Sequence, residues 1–123
     1  MIRVGLVGLG RIGYQYDCDR DDLLISHFKA IMDNPHFQLC WVADENAENR
    51  KRVLEQVPHD CKVLAHVPGE LPEMSVDLVV VATSTASHLS VVKQALAISP
   101  KMILCEKPVG VSLAESQAIA RLC

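Results

Sequence analysis

The chain has no C-x-x-C pair, no basic cluster, no apolar run long enough to cross a bilayer, no internal repeat and no low-complexity stretch. Each absence excludes a class of function. Without a basic cluster, and with a net charge of −3 from 12 Lys+Arg and 15 Asp+Glu, nucleic acid is not an expected partner. Without a long apolar run, no membrane partner is expected. No secretory signal is visible, and Met1-Ile2-Arg3 leads directly into an apolar run, so no leader is expected ahead of the fold. The cysteines (Cys18, Cys40, Cys61, Cys105 and Cys123) are odd in number and widely spaced. Neither a disulfide framework nor a zinc site fits that pattern, and a reducing cytoplasm does. Cys40 and Cys105 lie in apolar runs and read as small buried hydrophobes.

What is present has the balance of a globular α/β protein, with 50% hydrophobic and 22% charged residues. A chain of 123 residues is expected to form one domain, over 1–123, and to bury roughly two-thirds of its unfolded surface. Five strands are expected, at residues 2–7, 38–43, 62–66, 77–82 and 101–105. The fourth is a continuous apolar run, as in a strand buried on both faces. Helices are expected between them. Leu23–Met32 places Leu24, His27, Phe28 and Ile31 on one side. Ala47–Gln56 offers Val53 and Leu54 to a sheet. Ser87–Ile98 starts on an N-cap serine, and a last helix capped by Ser112 and Glu115 runs to Cys123. Pro68-Gly69-Glu70-Leu71-Pro72 reads as a connecting loop. Alternating strands and helices imply a doubly wound parallel sheet of Rossmann type, in the order 3-2-1-4-5.

The opening run carries the strongest functional signal. An apolar strand ends in Gly8-x-Gly10-x-x-Gly13, the fingerprint of a dinucleotide-binding unit. Gly8 permits the tight turn out of the strand. Gly10 lets the backbone approach a pyrophosphate, and Gly13 lets the next helix pack close to the sheet. With Arg11 and Ile12 between them, these residues are the expected phosphate cradle, at a helix N-terminus whose free N–H groups favour an anion. Asp44 ends the second strand, where a carboxylate accepts hydrogen bonds from the adenosine ribose and repels a 2′-phosphate. The expected cofactor is therefore NAD rather than NADP. Asp44 would equally serve as the N-cap of the helix after it. It also lies farther from Gly13 than the usual interval of roughly 20 positions.

The extra length is the polar stretch Tyr14–Asp22. Its Asp17, Asp19 and Asp21 imitate the start of a calcium loop, but Asp22 stands where glycine is needed and Phe28 where the bidentate glutamate belongs. No metal is expected. A solvated insertion, or a lid over cofactor or substrate, is expected instead. Thr83-Ser84-Thr85-Ala86-Ser87-His88 follows the fourth strand. Its small hydroxyl residues leave room for a nicotinamide ribose, while the bland alternative is a turn and helix cap, with His88 packing against the sheet end. Cys105-Glu106-Lys107-Pro108 ends the fifth strand, at the sheet edge where ligands bind. Lys107 there can polarise a carbonyl or donate to a hydroxyl. The alternative is a surface Lys–Glu pair before a proline turn.

Taken together, the glycine run, the Ala82–His88 segment and Glu106-Lys107-Pro108 resemble the glucose–fructose oxidoreductase / inositol dehydrogenase (Gfo/Idh/MocA) family over essentially the whole chain. The resemblance implies an NAD-dependent oxidoreductase acting on a sugar, cyclitol or sugar-nucleotide hydroxyl. It implies that Lys107 contacts the substrate and the nicotinamide, and that the Lys107–Pro108 bond is often cis. Gly8, Gly10, Arg11, Ile12, Gly13, Asp44, Thr83, Ser84, His88, Glu106 and Lys107 are the cofactor-binding candidates, with Lys107 also the catalytic one. Two departures stand out: Ser84 replaces a usual proline, and the insertion after Gly13 is long. The family's substrate domain lies outside this chain, so the chain is expected to be the cofactor half of a longer, homo-oligomeric enzyme and inactive alone. A standalone nucleotide-binding regulatory module is the competing reading.

Overall fold

The computed structural model describes residues 1–66 and 70–123. Pro68 and Gly69 of the expected connecting loop lie outside the described residues. The elements are β1 (Ile2–Val7), α1 (His27–Met32), β2 (Phe37–Asp44), α2 (Ala47–Val53), β3 (Lys62–Ala65), β4 (Leu78–Val81), α3 (His88–Ala97), β5 (Met102–Cys105) and α4 (Leu113–Leu122). The strands form one all-parallel sheet in the order β3-β2-β1-β4-β5, a Rossmann-like α/β fold.

Period-two alternation sends successive strand residues to opposite faces. Val4, Leu6, Leu39, Val42 and Val80 meet Phe28 and Ile31 of α1 and Val53 of α2 on one face. Val7, Trp41, Ala43, Val79 and Val81 meet Val91, Val92 and Ala95 of α3 and Ile119 of α4 on the other. The ladder between β1 and β2 slips between Val4 and Gly5, so that Cys40 is the extra residue of a bulge and Gly5 pairs with Trp41. A Cβ on Gly5 would sit 2.1 Å from the Trp41 ring. Gly5 is therefore the seat of the tryptophan.

The expected helices are trimmed, for identifiable reasons. α1 starts at His27 rather than Leu23, because Asp17 accepts from the N–H groups of Ile25 (2.6 Å) and Ser26 (2.8 Å) and Ser26 caps the helix. Leu24 stays 61% exposed instead of joining the apolar face. α2 ends at Val53, and Leu54 faces solvent. Ser87 makes no side-chain cap for α3: a short 3₁₀ turn over Thr85–Ser87 precedes the helix, and the Ser87 hydroxyl lies instead 2.8 Å from both Thr83 Oγ1 and the Ser84 carbonyl oxygen. At α4 the cap holds. Ser112 Oγ accepts from the Glu115 N–H, while the Glu115 carboxylate takes the Val111 N–H, one residue further upstream than in a standard capping box.

The Tyr14–Asp22 insertion is not simply solvated. Tyr14 and Asp17 are buried, Tyr14 stacks edge-on against Phe28 with ring centres 5.2 Å apart, and its hydroxyl donates to the Arg52 carbonyl. Only the tip (Tyr16, Asp19–Asp22) faces solvent. Among the described residues no group of His, Cys, Asp and Glu is arranged to hold a metal ion, and no helix is long and apolar enough to cross a membrane.

Candidate functional site

Parallel strands bring their carboxyl ends to one edge, so the residues that follow β1, β2, β4 and β5 become neighbours although they are far apart in sequence. A cleft of about 350 Å³ opens along that edge. Gly8, Gly10, Asp44, Thr83 and Ser84 line it, all of them expected site residues.

Each glycine of the turn has its own reason. Gly8 adopts φ +96°, and a Cβ there would lie 2.5 Å from the Ala82 carbonyl oxygen. A Cβ on Gly13 would lie 2.1 Å from the Gly8 carbonyl oxygen, so the turn closes on itself through a glycine. Nothing lies within 4 Å of the Cβ position of Gly10, which leaves its backbone open to a ligand. The turn does not run into a regular α-helix. Arg11–Gln15 forms one wide π-type turn, closed by Gln15 N–H to the Gly10 carbonyl and Tyr16 N–H to the Arg11 carbonyl. The expected helix N-terminus is thus a single turn. Arg11 is exposed and Ile12 half-buried, and neither is among the residues that line the cleft.

Asp44 is 8% exposed and braced on three sides. One carboxylate oxygen accepts from the Leu9 N–H at 2.6 Å and from the Asn49 amide at 3.4 Å, and the other accepts from the Asn46 N–H at 2.7 Å. The capping alternative for Asp44 is corrected, because Asn46 caps α2 through the N–H groups of Glu48 and Asn49. The carboxylate thus ties the glycine turn to the end of β2, keeps unused lone pairs, and shares the cleft lining with Gly8 and Gly10. Beyond it, His66 Nε2, just after β3, lies 2.8 Å from the Gln94 side-chain oxygen Oε1, and the Gln94 side-chain amide donates to Ser90 Oγ. The sequence reading missed Asn46, Asn49, His66 and Gln94. Only the Asn-x-x-Asn spacing after Asp44 was a visible signal; His66 and Gln94 become neighbours only through the fold.

The expectation that His88 faces a cofactor is corrected. Its side chain is fully buried, with Nε2 3.0 Å from the Thr83 carbonyl and Nδ1 3.1 Å from the Val109 carbonyl. Both ring nitrogens are occupied by backbone, so the ring is a strut between the loops after β4 and β5. Thr83 Oγ1 accepts from Ser87, and Ser84 is exposed at the cleft.

At β5 the Glu106 N–H continues the ladder to the Val81 carbonyl at 2.9 Å. The Glu106 carboxylate makes no ion pair with the lysine ammonium that follows it: Oε1 lies 2.7 Å from His27 Nε2, and Oε2 accepts from the Lys107 backbone N–H at 3.2 Å. Lys107 is exposed, and its ammonium enters none of the ion pairs among the described residues. The Lys107–Pro108 peptide bond is cis. Nearby, Cys105 is held above the ordinary thiol value by burial and by the Glu106 charge, which disfavours the thiolate. At Cys61, burial with Cys40 and Asp60 alongside pushes the thiol up to about 12. The five cysteines are free, and these two are poor nucleophiles.

Residues 2–123 match the model of an oxidoreductase family with an NAD-binding Rossmann fold, Gfo/Idh/MocA. The chain belongs to this family. It is 31% identical to the uncharacterized oxidoreductase YrbE of Bacillus subtilis, over 97% of this chain and 31% of YrbE. The chain thus spans about a third of the length of that relative. Among solved structures it superposes on the 3-ketoreductase KijD10 of Actinomadura kijaniata, crystallised with NADP and TDP-benzene (TM-score 0.76, 21% identity, 98% of this chain and 33% of that one). It also superposes on an Agrobacterium radiobacter oxidoreductase in complex with NAD+, L-tartaric acid and magnesium (TM-score 0.74, 21% identity, 99% and 32%). A myo-inositol dehydrogenase of Corynebacterium glutamicum is similar again (TM-score 0.70, 23% identity, 98% and 32%). At these identities the likeness of the three structures is one of fold. The family model makes the chain an NAD-binding domain of the oxidoreductase type.

Proposed function

We propose that residues 1–123 serve as one dinucleotide-binding domain, the cofactor half of an oxidoreductase that exchanges a hydride between NAD and a hydroxyl carbon of a sugar, cyclitol or sugar-nucleotide derivative. One observation carries the reading. The braced carboxylate of Asp44, the open backbone at Gly10 and the ammonium of Lys107, which enters no ion pair among the described residues, stand in strand order along a single sheet edge. The residues fit the cofactor: a Cβ would collide with backbone at Gly8 and Gly13 and distort the turn, the space over Gly10 is open for a phosphate, and Asp44 keeps acceptor capacity for ribose hydroxyls.

Bound nicotinamide supplies the hydride chemistry. The chain supplies position and charge. The glycine turn, with Arg11 and Ile12, holds the pyrophosphate, and Asp44 accepts from the ribose and opposes a 2′-phosphate. Thr83 and Ser84 border the nicotinamide side. Glu106 shapes the turn that presents Lys107, whose ammonium polarises the reacting oxygen or assists its proton. The remaining substrate contacts come from protein beyond this third of the family's length. The enzyme is placed in the cytoplasm as a homo-oligomer.

Titration calorimetry with both cofactors tests the proposal. NAD(H) binds more tightly than NADP(H), by about tenfold or more; equal or tighter NADP(H) binding sinks the role of Asp44. The chain alone gives no steady NADH production from polyols, since orientation by a second wall is a large share of such catalysis. In the longer enzyme, Lys107→Ala lowers the turnover number far more than it weakens NAD binding. Near-normal turnover with lost cofactor affinity would make Lys107 a binding residue only.

A further inference from the structure

The contact between His27 and Glu106 joins residues 79 apart in sequence, and nothing in the glycine motif or the strand pattern calls for it. His27 is the first residue of α1, placed there by the insertion. The Asp17 carboxylate takes the Ile25 and Ser26 N–H groups and fixes where the helix begins. α1 then runs antiparallel to the strands, so its first residue stands at the carboxyl edge of the sheet. His27 Nε2 donates to Glu106 Oε1 at 2.7 Å, with the two side chains 22% and 21% exposed. Glu106 Oε2 takes the Lys107 N–H. Both oxygens of this carboxylate are therefore engaged away from the lysine ammonium.

We propose that His27 is a positioning residue for the reacting end of the site. It holds Glu106 off the Lys107 ammonium and so keeps that ammonium free, and its backbone turn in place, for the nicotinamide end of the cofactor. Two adjacent residues of opposite charge at an exposed edge would otherwise pair with each other, as surface Lys and Glu commonly do. A short, partly shielded hydrogen bond to an ionised carboxylate is among the stronger polar contacts and prevails over an exposed pair. The insertion thereby acquires a purpose: it sets the register of α1 so that a donor meets Glu106.

This inference rests on the proposed NAD site, and the experiment separates the two. NAD+ and ADP-ribose, which lacks the nicotinamide, are titrated calorimetrically into the wild-type protein, His27→Phe, His27→Gln and Asp17→Asn. His27→Phe weakens NAD+ by about five- to tenfold while ADP-ribose changes by less than about twofold, the size expected when one charge-assisted hydrogen bond is lost and only part of it is transmitted. His27→Gln, whose amide can donate from a similar place, recovers most of the NAD+ affinity. Asp17→Asn shifts His27 without touching Glu106 and reproduces the His27→Phe pattern more weakly; it also serves if His27→Phe does not fold. Equal weakening of both ligands, no weakening, or no recovery in His27→Gln overturns the positioning role. Failure of the wild-type protein to bind either ligand overturns the NAD site itself.

Discussion

On the β1–β2 side of the cleft, the contacts are close approaches of backbone at the strand ends, bridged by one carboxylate. Asp44 takes the N–H groups of Leu9 and Asn46, and Gly8 and Gly13 touch carbonyl oxygens where any side chain would collide. On the β4–β5 side, side chains make the contacts. His88 spans the Thr83 and Val109 carbonyls, and His27 reaches Glu106 from another element. The first side follows once two parallel strands pair in register, because the motif residues sit at the strand ends. The second side exists only after helices have packed on both faces of the sheet. One half of the site is written as a motif, and the other is a product of packing.

The largest effect is expected from breaking the backbone side. Gly13→Ala places a methyl group 2.1 Å from the Gly8 carbonyl oxygen. Overpacking of this kind costs about 3 kcal/mol, and distortion of the turn abolishes NAD binding, a loss beyond about 100-fold. Chemical denaturation and calorimetry measure both. A Gly13→Ala protein that still binds NAD would show that the turn has slack the geometry denies.

Next comes Asp44→Ala. It leaves the Leu9 amide unpaired as well as removing the ribose acceptor, so stability drops by about 2 kcal/mol and NAD affinity by about thirtyfold. Loss of NAD preference with unchanged stability would separate the brace from the ribose contact.

The packing side is tested by His88→Ala. The ring that bridges the Thr83 and Val109 carbonyls is lost from a buried place, and destabilisation of about 2 kcal/mol is expected, with faster hydrogen exchange at Val111. If ADP-ribose affinity falls as steeply as in Asp44→Ala, the two sides are not separately built and the contrast fails.

The smallest effect is pH-dependent. Burial alone raises the Asp17 carboxyl, but the Ser26 hydroxyl and the amides of Ile25 and Ser26 outweigh it and hold its pKa below the ordinary carboxylate value. A folded value below the unfolded one means stability that is present above the unfolded pKa of about 3.9 and lost as pH falls through the folded value. Asp17→Asn therefore costs about 1 kcal/mol at neutral pH, and the difference from wild type shrinks in acid. A difference that persists unchanged below pH 3 would assign the effect to packing.

Much of this molecule was legible before its structure. The strand order follows from alternating strands and helices, the glycine turn from spacing, and Asp44 from its place after β2. Where the reading went astray, a distant group had intervened. Leu23–Ile25 have helical periodicity, yet Asp17 takes the amides of Ile25 and Ser26 and delays the helix. Leu54 had the right spacing for the sheet, but α2 ends before it. In the final helix Ile119 is buried against the sheet, while Ala114, Ala120 and Leu122 are exposed.

The sequence by itself determined what depends on local rules: period-two strands, the glycine positions that alone tolerate the turn, the Ser112 cap and the carboxylate at the end of β2. These are set within a few residues and do not need to know the rest of the chain. Tertiary structure alone decided that Gly5 seats Trp41, that His88 is a buried strut rather than a ligand contact, and that His27, rather than the Lys107 ammonium, pairs with Glu106. Each of these depends on which side chain of a remote element arrives within about 3 Å, and hydrogen bonding at that range is decided by packing geometry, on which residue spacing is silent.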